Sequence, residues 1–432
     1  MTQNFQGRPP EFVPKLVIAL REGYGLTQLG HDLLAGLAVA IIAVPLGLAI
    51  AISSGATPEQ GLLTVVVGGF LISLLGGSRT QIGGPTAAFI VTVYSVIHMH
   101  GYDGLVLATL MAGIILVVAA LLRVGTLVRY VPEPVIRGFT VGIAVVIVLS
   151  QIKDVFGLSD AEVPSDVYDK LRALWEIRDS FTPAALLVAL GSLAIIIAIR
   201  MWSTRFPGLV IAVVVAAAVV EVFHLPVETI ASRFGPLVFE LKPPHLPDLS
   251  YAKVVDLLPS ALVIAFLAGI ESLLSAMVAD KMTGSSHRSN TEILGQGIAN
   301  LGSALMGGLP ATGAIARTAT NIRAGGKTPV AGISHAAFVL LFLIFAAPLI
   351  GYLPLPALAS VLLIAAWTMS EPHKLADDLE RSGPNATVIL LTLVLTVFAD
   401  LTLALAVGVI VSLLFRFRRR DVPPPDWDVP EA

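Results

Sequence analysis

The sequence predicts an all-α polytopic membrane protein, and two observations carry that prediction: the composition and the length of the apolar runs. Of the 432 residues, 56% are hydrophobic and only 13% are charged, and the mean hydropathy is +0.86. These values lie far outside the range of soluble domains. Apolar runs of about 20 residues, the length that a helix needs to cross a bilayer, recur along the chain. The sequence contains no cysteine, which excludes thiol catalysis and thiolate metal sites.

Apolar runs separated by Gly, Pro and charged residues predict fourteen membrane segments. Two of them, 85–98 and 313–324, contain 14 and 12 residues. At about 1.5 Å per residue they are too short to cross a hydrocarbon core about 30 Å thick, so we expect half-helices at segments 3 and 10. The fourteen segments are 33–53, 58–77, 85–98, 103–123, 134–152, 182–200, 207–223, 257–279, 290–306, 313–324, 328–350, 355–369, 384–399 and 401–416.

The distribution of Lys and Arg predicts the orientation of these segments. Seven of the 27 basic residues lie in the two long loops 153–181 and 224–256, and the other 20 lie on the opposite side of the membrane. Basic residues favour the cytoplasmic side. We therefore expect both termini in the cytoplasm of a cell whose inner (plasma) membrane holds the protein, with the basic run 416–420 as the strongest anchor.

Two internal echoes predict a duplicated architecture. YVPEPVI at 130–136 returns as YLPLPAL at 352–358, and LLGG at 74–77 returns as LMGG at 305–308, in the same order. Each copy then contains seven segments, and an odd number makes the second copy enter the membrane from the opposite side. Such inverted repeats are common among secondary transporters.

The predicted organisation has five parts. Two inverted repeats of seven segments are joined by an extracytoplasmic connection and flanked by cytoplasmic ends. The parts are the N-terminal segment 1–28, the first repeat 29–224, the connection 225–256, the second repeat 257–417 and the tail 418–432.

The starts of the two half-helices predict an anion site. A helix that begins inside a membrane offers free backbone N–H groups and about half a positive charge, and small residues let a ligand approach them. Inverted symmetry directs both N-termini to one place, where a neighbouring arginine adds a full positive charge. The alternatives are that the two threonines at these N-termini only cap the helices and that the arginine has a structural role without a ligand. The predicted substrate-binding residues are Thr86, Ala87, Ala88, Thr312, Gly313, Ala314 and Arg317.

Glu271 is the single carboxylate in the middle of segment 8, and an intramembrane acid is a functional candidate. We expect it, with Ser275 one turn later, to form the coupling-ion site and to carry a proton together with the anion; the alternative is a structural carboxylate. The sequence holds no P-loop, no HExxH, no GxSxG and no cluster of histidines, so we expect neither an enzyme nor a metal or cofactor site.

Four stretches resemble the SulP family of anion transporters, also called solute carrier family 26. They are GLAVAIIAVPLGLAIAISSGATPEQGL at 36–62, the block from Pro58 to GGSR at 76–79, GIESLLSAMVADKMTG at 269–284 and ADLTLALAVGVIVSLLFRFRRR at 399–420. The chain departs from the family pattern at Gln60 and Leu63, where tyrosines are usual. Most members continue into a cytoplasmic STAS domain, and we expect none within the tail 418–432.

The resemblance implies a core domain of segments 1–4 and 8–11 that moves against a gate domain of segments 5–7 and 12–14, in a homodimer. It places substrate between segments 1, 3, 8 and 10. Glu271 matches the acidic position of segment 8 that holds a cation in sodium-coupled relatives, where it is an aspartate, and Arg317 matches a cationic position of segment 10.

We therefore predict a secondary active transporter embedded in lipid that couples a proton to an anion such as fumarate, sulfate or bicarbonate by alternating access. A sodium-coupled symporter or an anion exchanger is the first alternative. An anion channel or a nucleobase–cation symporter of the same fold is the second. No nucleic-acid partner is expected.

Overall fold

A computed structural model gives the architecture of the chain. It describes residues 12–125, 132–158, 164, 166–203, 206–236, 244, 246–380, 383–399 and 401–418. In these residues the α-helices are α1 Lys15–Arg21, α2 Leu26–Ser53, α3 Pro58–Leu75, α4 Ile90–Leu121, α5 Glu133–Phe156, α6 Val167–Glu176, α7 Pro183–Trp202, α8 Gly208–Val222, α9 Ile230–Phe234, α10 Tyr251–Thr283, α11 Ser289–Leu305, α12 Ile315–Arg323, α13 Pro329–Ile350, α14 Leu355–Ser370, α15 Pro372–Glu380, α16 Pro384–Phe398 and α17 Leu401–Arg418.

The helices confirm a mostly helical membrane protein. In the described part of the chain, eight helical stretches are long and apolar enough to cross a membrane. Three shorter apolar helices, Gly208–Val222, Pro384–Phe398 and Leu403–Phe415, add to them. The count of fourteen segments and the inverted repeat stay predictions, and the repeated motif at 130–136 lies partly outside the described residues.

The predicted segments 3 and 4 form one helical stretch. It begins with a 3₁₀ turn, Ala87–Phe89, and continues as α4 without an intervening loop. The helical path breaks at Gly101, where φ is 69° and ψ is −178°. Glycine adopts this left-handed φ without a steric penalty, so one residue replaces the loop that we expected between 98 and 103.

The membrane helices pack in two groups. The first bundle contains α2, α3, α4, α10, α11, α12 and α13, and the second contains α5, α7, α8, α14, α16 and α17. Between them, α2 contacts α8 and α14, and the start of α4 contacts α5. Small residues permit close approach inside the first bundle: an ideal Cβ on Gly61 would lie 2.5 Å from the carbonyl oxygen of Gly47.

A two-stranded sheet lies at the centre of the first bundle. β1 (Gly83–Gly84) pairs antiparallel with β2 (Thr312–Gly313), so that Gly83 faces Gly313 and Gly84 faces Thr312. The Ala314 N–H extends the pairing by donating to the Ile82 carbonyl at 2.9 Å. Non-helical backbone survives at membrane depth only where its polar groups are paired in protein or line a cavity, and this sheet provides that pairing.

Asp32 fixes the loop that follows α12. It lies fully buried in α2, and its carboxylate accepts hydrogen bonds from the backbone N–H groups of Lys327 and Thr328, at 2.9 and 3.3 Å. The Thr328 hydroxyl and the Tyr24 hydroxyl also donate to it, at 2.5 and 3.0 Å. The carboxylate therefore ties the first membrane helix to the start of α13.

Two amphipathic helices outside the membrane segments were not predicted. α6 lies in the long loop before α7, and α15 follows α14. Each contains only nine or ten residues, which is too short for an apolar run to reveal. A helix of that length is stabilised by packing of its apolar face rather than by its own propensity.

Candidate functional site

The two half-helices begin side by side, each directly after one strand of the central sheet. β1 leads through Pro85 and Thr86 into the 3₁₀ turn, and β2 leads through Ala314 into α12. Both helical N-termini therefore start from one hydrogen-bonded pair of strands. The first turn of each helix has N–H groups without intrahelical acceptors, which gives the region its anion-attracting character.

Thr86 connects the first half-helix to the intramembrane acid. Its hydroxyl donates to Oε2 of Glu271 at 2.7 Å. No side-chain cap is formed at Thr86, and the Thr312 hydroxyl donates to the Ala268 carbonyl at 2.8 Å instead of capping α12. The side chains of these two threonines therefore do not cap the half-helices, which was the alternative interpretation.

Arg317 joins the second half-helix to the first. Its side chain is only 1% exposed, and its guanidinium donates to the carbonyl oxygens of Gly83 at 3.4 Å and Pro85 at 2.5 Å. The Nε–H has no partner among the described residues. No ion pair within 4.0 Å links Arg317 to Glu271, so the buried charge is held by backbone carbonyls and keeps an unused donor.

Two glycines leave room for this arrangement. An ideal Cβ on Gly84, where φ is +150°, would lie 2.1 Å from a terminal nitrogen of Arg317. A Cβ on Gly313 would lie 1.5 Å from the side-chain nitrogen of Gln81. Since a Cβ essentially never approaches another heavy atom this closely, any larger residue would displace the guanidinium or the glutamine amide.

A second buried carboxylate, Glu292, escaped the sequence analysis. It is fully buried in α11 and accepts hydrogen bonds from the backbone N–H groups of Gly77 and Ser78, at 2.7 and 3.0 Å. Ser272 and Gln296 donate to its other oxygen, at 3.0 and 2.8 Å. All its contacts are satisfied, so it anchors the loop that precedes β1.

The sequence did carry a signal for Glu292. Gln296 and Asn300 follow it at intervals of four residues, which places all three on one face of a helix. Asn300 clamps the backbone ahead of β2: its amide donates to the Ala311 carbonyl at 2.8 Å, and its side-chain oxygen accepts from the Ala311 N–H at 2.9 Å.

The candidate site opens into a cavity of about 510 Å³ between the two bundles. Residues of α2, α10 and α12 line one wall, and residues of α5, α7, α8 and α14 line the other. Most predicted residues reach it, whereas Thr312 and Ser275 do not line it. Those that do are Thr86, Ala87, Ala88, Glu271, Gly313, Ala314 and Arg317.

Ser275 lies behind the cavity wall. It is fully buried, and its hydroxyl is 3.0 Å from the hydroxyl of Thr318 on α12. The Thr318 hydroxyl also accepts from the Ile82 N–H at 3.1 Å. These contacts hold α10 against α12 and β1, and the coupling-ion role of Ser275 remains a prediction.

Charged side chains surround the wide end of the cavity. Arg137 on α5 pairs with Glu133 at 2.6 Å and with Asp378 on α15 at 2.5 Å. Arg200 on α7 donates to the Thr368 hydroxyl at 3.4 Å, and Arg323, at the end of α12, also lines this region. The cavity thus runs from Glu271 and Arg317, which lie among apolar side chains, to a charged mouth.

Comparisons with known proteins agree with this architecture. Residues 29–414 match the sulfate permease family. The putative sulfate transporter YvdB of Bacillus subtilis is 42% identical, in an alignment covering 92% of this chain and 75% of that protein. The bicarbonate transporter BicA of Picosynechococcus sp. is 31% identical, over 90% of this chain and 70% of that protein.

Solved structures show the same fold. The transmembrane domain of a cyanobacterium bicarbonate transporter BicA superposes with a TM-score of 0.78 at 28% identity, covering 90% of this chain and 98% of that one. SLC26A9 superposes with a TM-score of 0.84 at 19% identity, covering 94% of this chain and 68% of that one. The family match spans nearly all of the membrane region, as the resemblance in the sequence implies. The chain therefore belongs to the sulfate permease (SulP) family and is a membrane anion transporter of that family.

Proposed function

We propose that the protein is a secondary active transporter that moves a small oxyanion together with a proton by alternating access. The observation that carries the proposal is the placement of Arg317 and Glu271 beside the N-termini of two half-helices, at the inner end of one cavity. Sulfate and bicarbonate are the first substrates to test, because similar proteins bear their names. Fumarate represents the dicarboxylates.

The anion is held by backbone N–H groups and one guanidinium. Each helix N-terminus contributes the equivalent of about half a positive charge. Arg317 adds a full charge, and its unpaired Nε–H is a donor that protein groups leave unused. Because these donors are fixed before the ligand arrives, binding an anion requires little reorganisation.

The proton is carried by Glu271. Its carboxylate lines the cavity near the anion site and accepts a hydrogen bond from Thr86. An anion and an ionised carboxylate repel each other in a medium of low dielectric constant. Protonation of Glu271 removes that repulsion, so each ligand strengthens the binding of the other, as symport requires.

Access alternates between the two ends of the bundle interface. The cavity reaches the charged mouth around Arg323 and Glu371, and the distribution of basic residues predicts that this end faces the cytoplasm. At the opposite end, hydrogen bonds of 3.3 to 3.4 Å join Ser53 on α2 to Gln151 on α5. The arrangement fits a state that is open to the cytoplasm.

Uptake into proteoliposomes tests the proposal. Labelled sulfate, bicarbonate, chloride and fumarate are offered with an inward proton gradient, an inward sodium gradient or neither. We expect an inward proton gradient to drive accumulation of one oxyanion. Accumulation driven only by sodium would assign Glu271 to a cation site, and uptake indifferent to both gradients would favour exchange or a channel.

Glu271→Gln tests the role of the carboxylate. The amide is close in size to the acid and cannot exchange a proton, so accumulation driven by the proton gradient is lost while counterflow of the same anion continues. Glu221→Gln, at the exposed end of α8, is the matched control and retains accumulation. Proton-driven accumulation by Glu271→Gln that equals the wild type would refute the assignment.

A further inference from the structure

The helix α6 follows the end of α5 that lies opposite the cavity mouth, and it packs on α5 and α16. Asp166 caps its start by accepting from the N–H groups of Tyr168 and Asp169, at 2.9 and 3.2 Å. The buried face of α6 contains Val167, Leu174 and, between them, Lys170. A lysine on the buried face of an otherwise amphipathic helix is unusual, because lysine is almost never buried unless it is paired.

The ammonium group of Lys170 is poorly compensated. The residue is 5% exposed, its Nζ donates to the Ser150 hydroxyl at 3.0 Å, and it lies 5.4 Å from the centre of the Tyr94 ring. Among the described residues no carboxylate lies within 4.0 Å of it. One neutral acceptor and one aromatic face replace the water that three N–H donors would otherwise bind.

Burial also changes the protonation equilibrium of the Lys170 ammonium group. It lowers the pKa of Lys170 from 10.5 to about 8, and the charge of Asp166 offsets only part of that shift. The group is therefore still mainly charged at pH 7, although its surroundings disfavour the charge.

Lys170 lies where the two bundles meet. Ser150 belongs to α5 of the second bundle, whereas Tyr94 belongs to α4 of the first. Next to it, Val146, Val167 and Val397 form an apolar cluster against which Val91 of α4 packs. The Ser53–Gln151 contact lies at this end as well. The lysine is thus covered by Tyr94 of the first bundle as well as by α5 of the second.

We propose that Lys170 is a gating residue whose buried charge makes closure of this end of the interface costly and so favours its opening. When α4 moves away from α5 and α6, Tyr94 leaves and the ammonium regains water. The proposal rests on the alternating access proposed above. Lys170 would thus favour the open state, whereas a latch would hold this end closed.

Opening of this end of the interface should depend on pH, because it depends on the charge of Lys170. The charged and titratable groups that face Lys170 are Asp166 on its own helix and Tyr94 on α4, which stacks on His98 at 6.1 Å. Ser150 of α5 and Val397 of α16, which lie beside it, are uncharged. Lys153 and Asp154 follow Ser150 about one turn later on α5, where Asp154 pairs with Arg233 at 2.8 Å. Since the pKa is lower in the closed state, loss of the proton stabilises closure, and opening becomes rarer as pH rises from about 8 towards 10.

The absence of native cysteine allows a direct test. Ile50→Cys, one turn before Ser53, places a reporter in the cavity wall. Its modification by a membrane-impermeant thiosulfonate is followed in intact cells, from the side on which α6 lies. Arg172→Cys on the exposed face of α6 confirms that the reagent reaches that side, and its rate corrects for the pH dependence of thiol reactivity.

We expect Lys170→Met to slow modification of the reporter about tenfold or more, since one pKa unit corresponds to a factor of ten and the lysine shift exceeds that. Lys170→Arg keeps a buried cation and keeps the rate within a few-fold. Arg172→Met, which removes an exposed cation from the same helix, leaves the rate unchanged. In the reporter protein that retains Lys170, the rate of modification at the Ile50→Cys site, corrected for thiol reactivity, falls between pH 8 and pH 10.

Faster modification of Lys170→Met would show that Lys170 is a latch, and an unchanged rate would show that it has no gating role. If Lys170→Met does not reach the membrane, a corrected rate that does not fall with pH overturns the proposal by itself. Anion uptake is measured on the same reporter protein. Gradient-independent uptake with the expected labelling rates would reject proton coupling and leave the gating role intact.

Discussion

Replacing Gly84 by alanine should displace Arg317 from the proposed anion site. The new Cβ would lie 2.1 Å from a terminal guanidinium nitrogen, whereas real Cβ contacts essentially never fall below 3.0 Å. The nitrogen must therefore move by at least 0.9 Å, the difference between these distances. That nitrogen is Nη1, which donates to the Gly83 carbonyl, whereas Nη2 donates to the Pro85 carbonyl at 2.5 Å. Because the guanidinium is planar and rigid, Nη2 moves with Nη1, and a shift of the whole group by about 0.9 Å directly away from Pro85 would lengthen the second bond to about 3.4 Å, beyond the usual range.

A hydrogen bond to a charged group contributes about 1.5–3 kcal/mol. At about 1.4 kcal/mol per factor of ten, its loss corresponds to a ten- to hundred-fold change. We expect Gly84→Ala to lower the rate of anion uptake at subsaturating concentration by that factor, measured in proteoliposomes at equal protein density. The effect should lie mainly in KM, because the displaced group is the one that we propose binds the anion.

Gly325→Ala provides the matched control. Gly325 also has a positive φ, +96°, but an ideal Cβ there meets nothing within 4 Å. It therefore introduces comparable backbone strain without touching a side chain. Uptake by Gly84→Ala within threefold of the Gly325→Ala variant would refute the reasoning, because Arg317 could then move without consequence for the anion.

Two further predictions concern the buried carboxylates that hold the first bundle. Glu292→Leu leaves two buried backbone N–H groups without acceptors, at about 1–3 kcal/mol each, so the purified protein in detergent should lose monodispersity at a clearly lower temperature than the wild type. Glu292→Gln keeps an acceptor oxygen and should lower that temperature less. Equal melting temperatures of the two variants would contradict this. Asp32→Ala likewise removes the acceptor of the Lys327 and Thr328 backbone N–H groups and should cost about 1–3 kcal/mol for each donor that stays out of water; melting at the wild-type temperature would show that the loop does not depend on Asp32.

Much of the candidate site could be predicted from the sequence. The shortness of segments 3 and 10, their proline and small-residue openings and the lone Glu271 were enough to bring Thr86, Arg317 and Glu271 to one place. These are local properties: run length, turn chemistry and the presence of an acid in an apolar helix. The structure places all three residues along one cavity.

The partners of these residues could not be predicted. Arg317 binds the carbonyls of Gly83 and Pro85, more than 230 positions away in the chain, and nothing in the local sequence indicates that contact. Glu292 belongs to a network that spans α10, α11 and the loop before β1. Such pairings depend on how distant helices pack, which single-sequence patterns do not record.

The sequence by itself determined the membrane class, the helical segments and the polar openings of the half-helices, because the energetics of burial in lipid act on each segment separately. Only the tertiary structure decided that β1 and β2 pair, that Gly101 replaces a loop and that Lys170 is buried between two bundles. A lysine on a ten-residue amphipathic helix usually lies in water. The packing of α6 on α5 and α16, with the Tyr94 ring of α4 over the ammonium, removes the water and gives the charge of Lys170 a free-energy cost that its sequence position does not suggest.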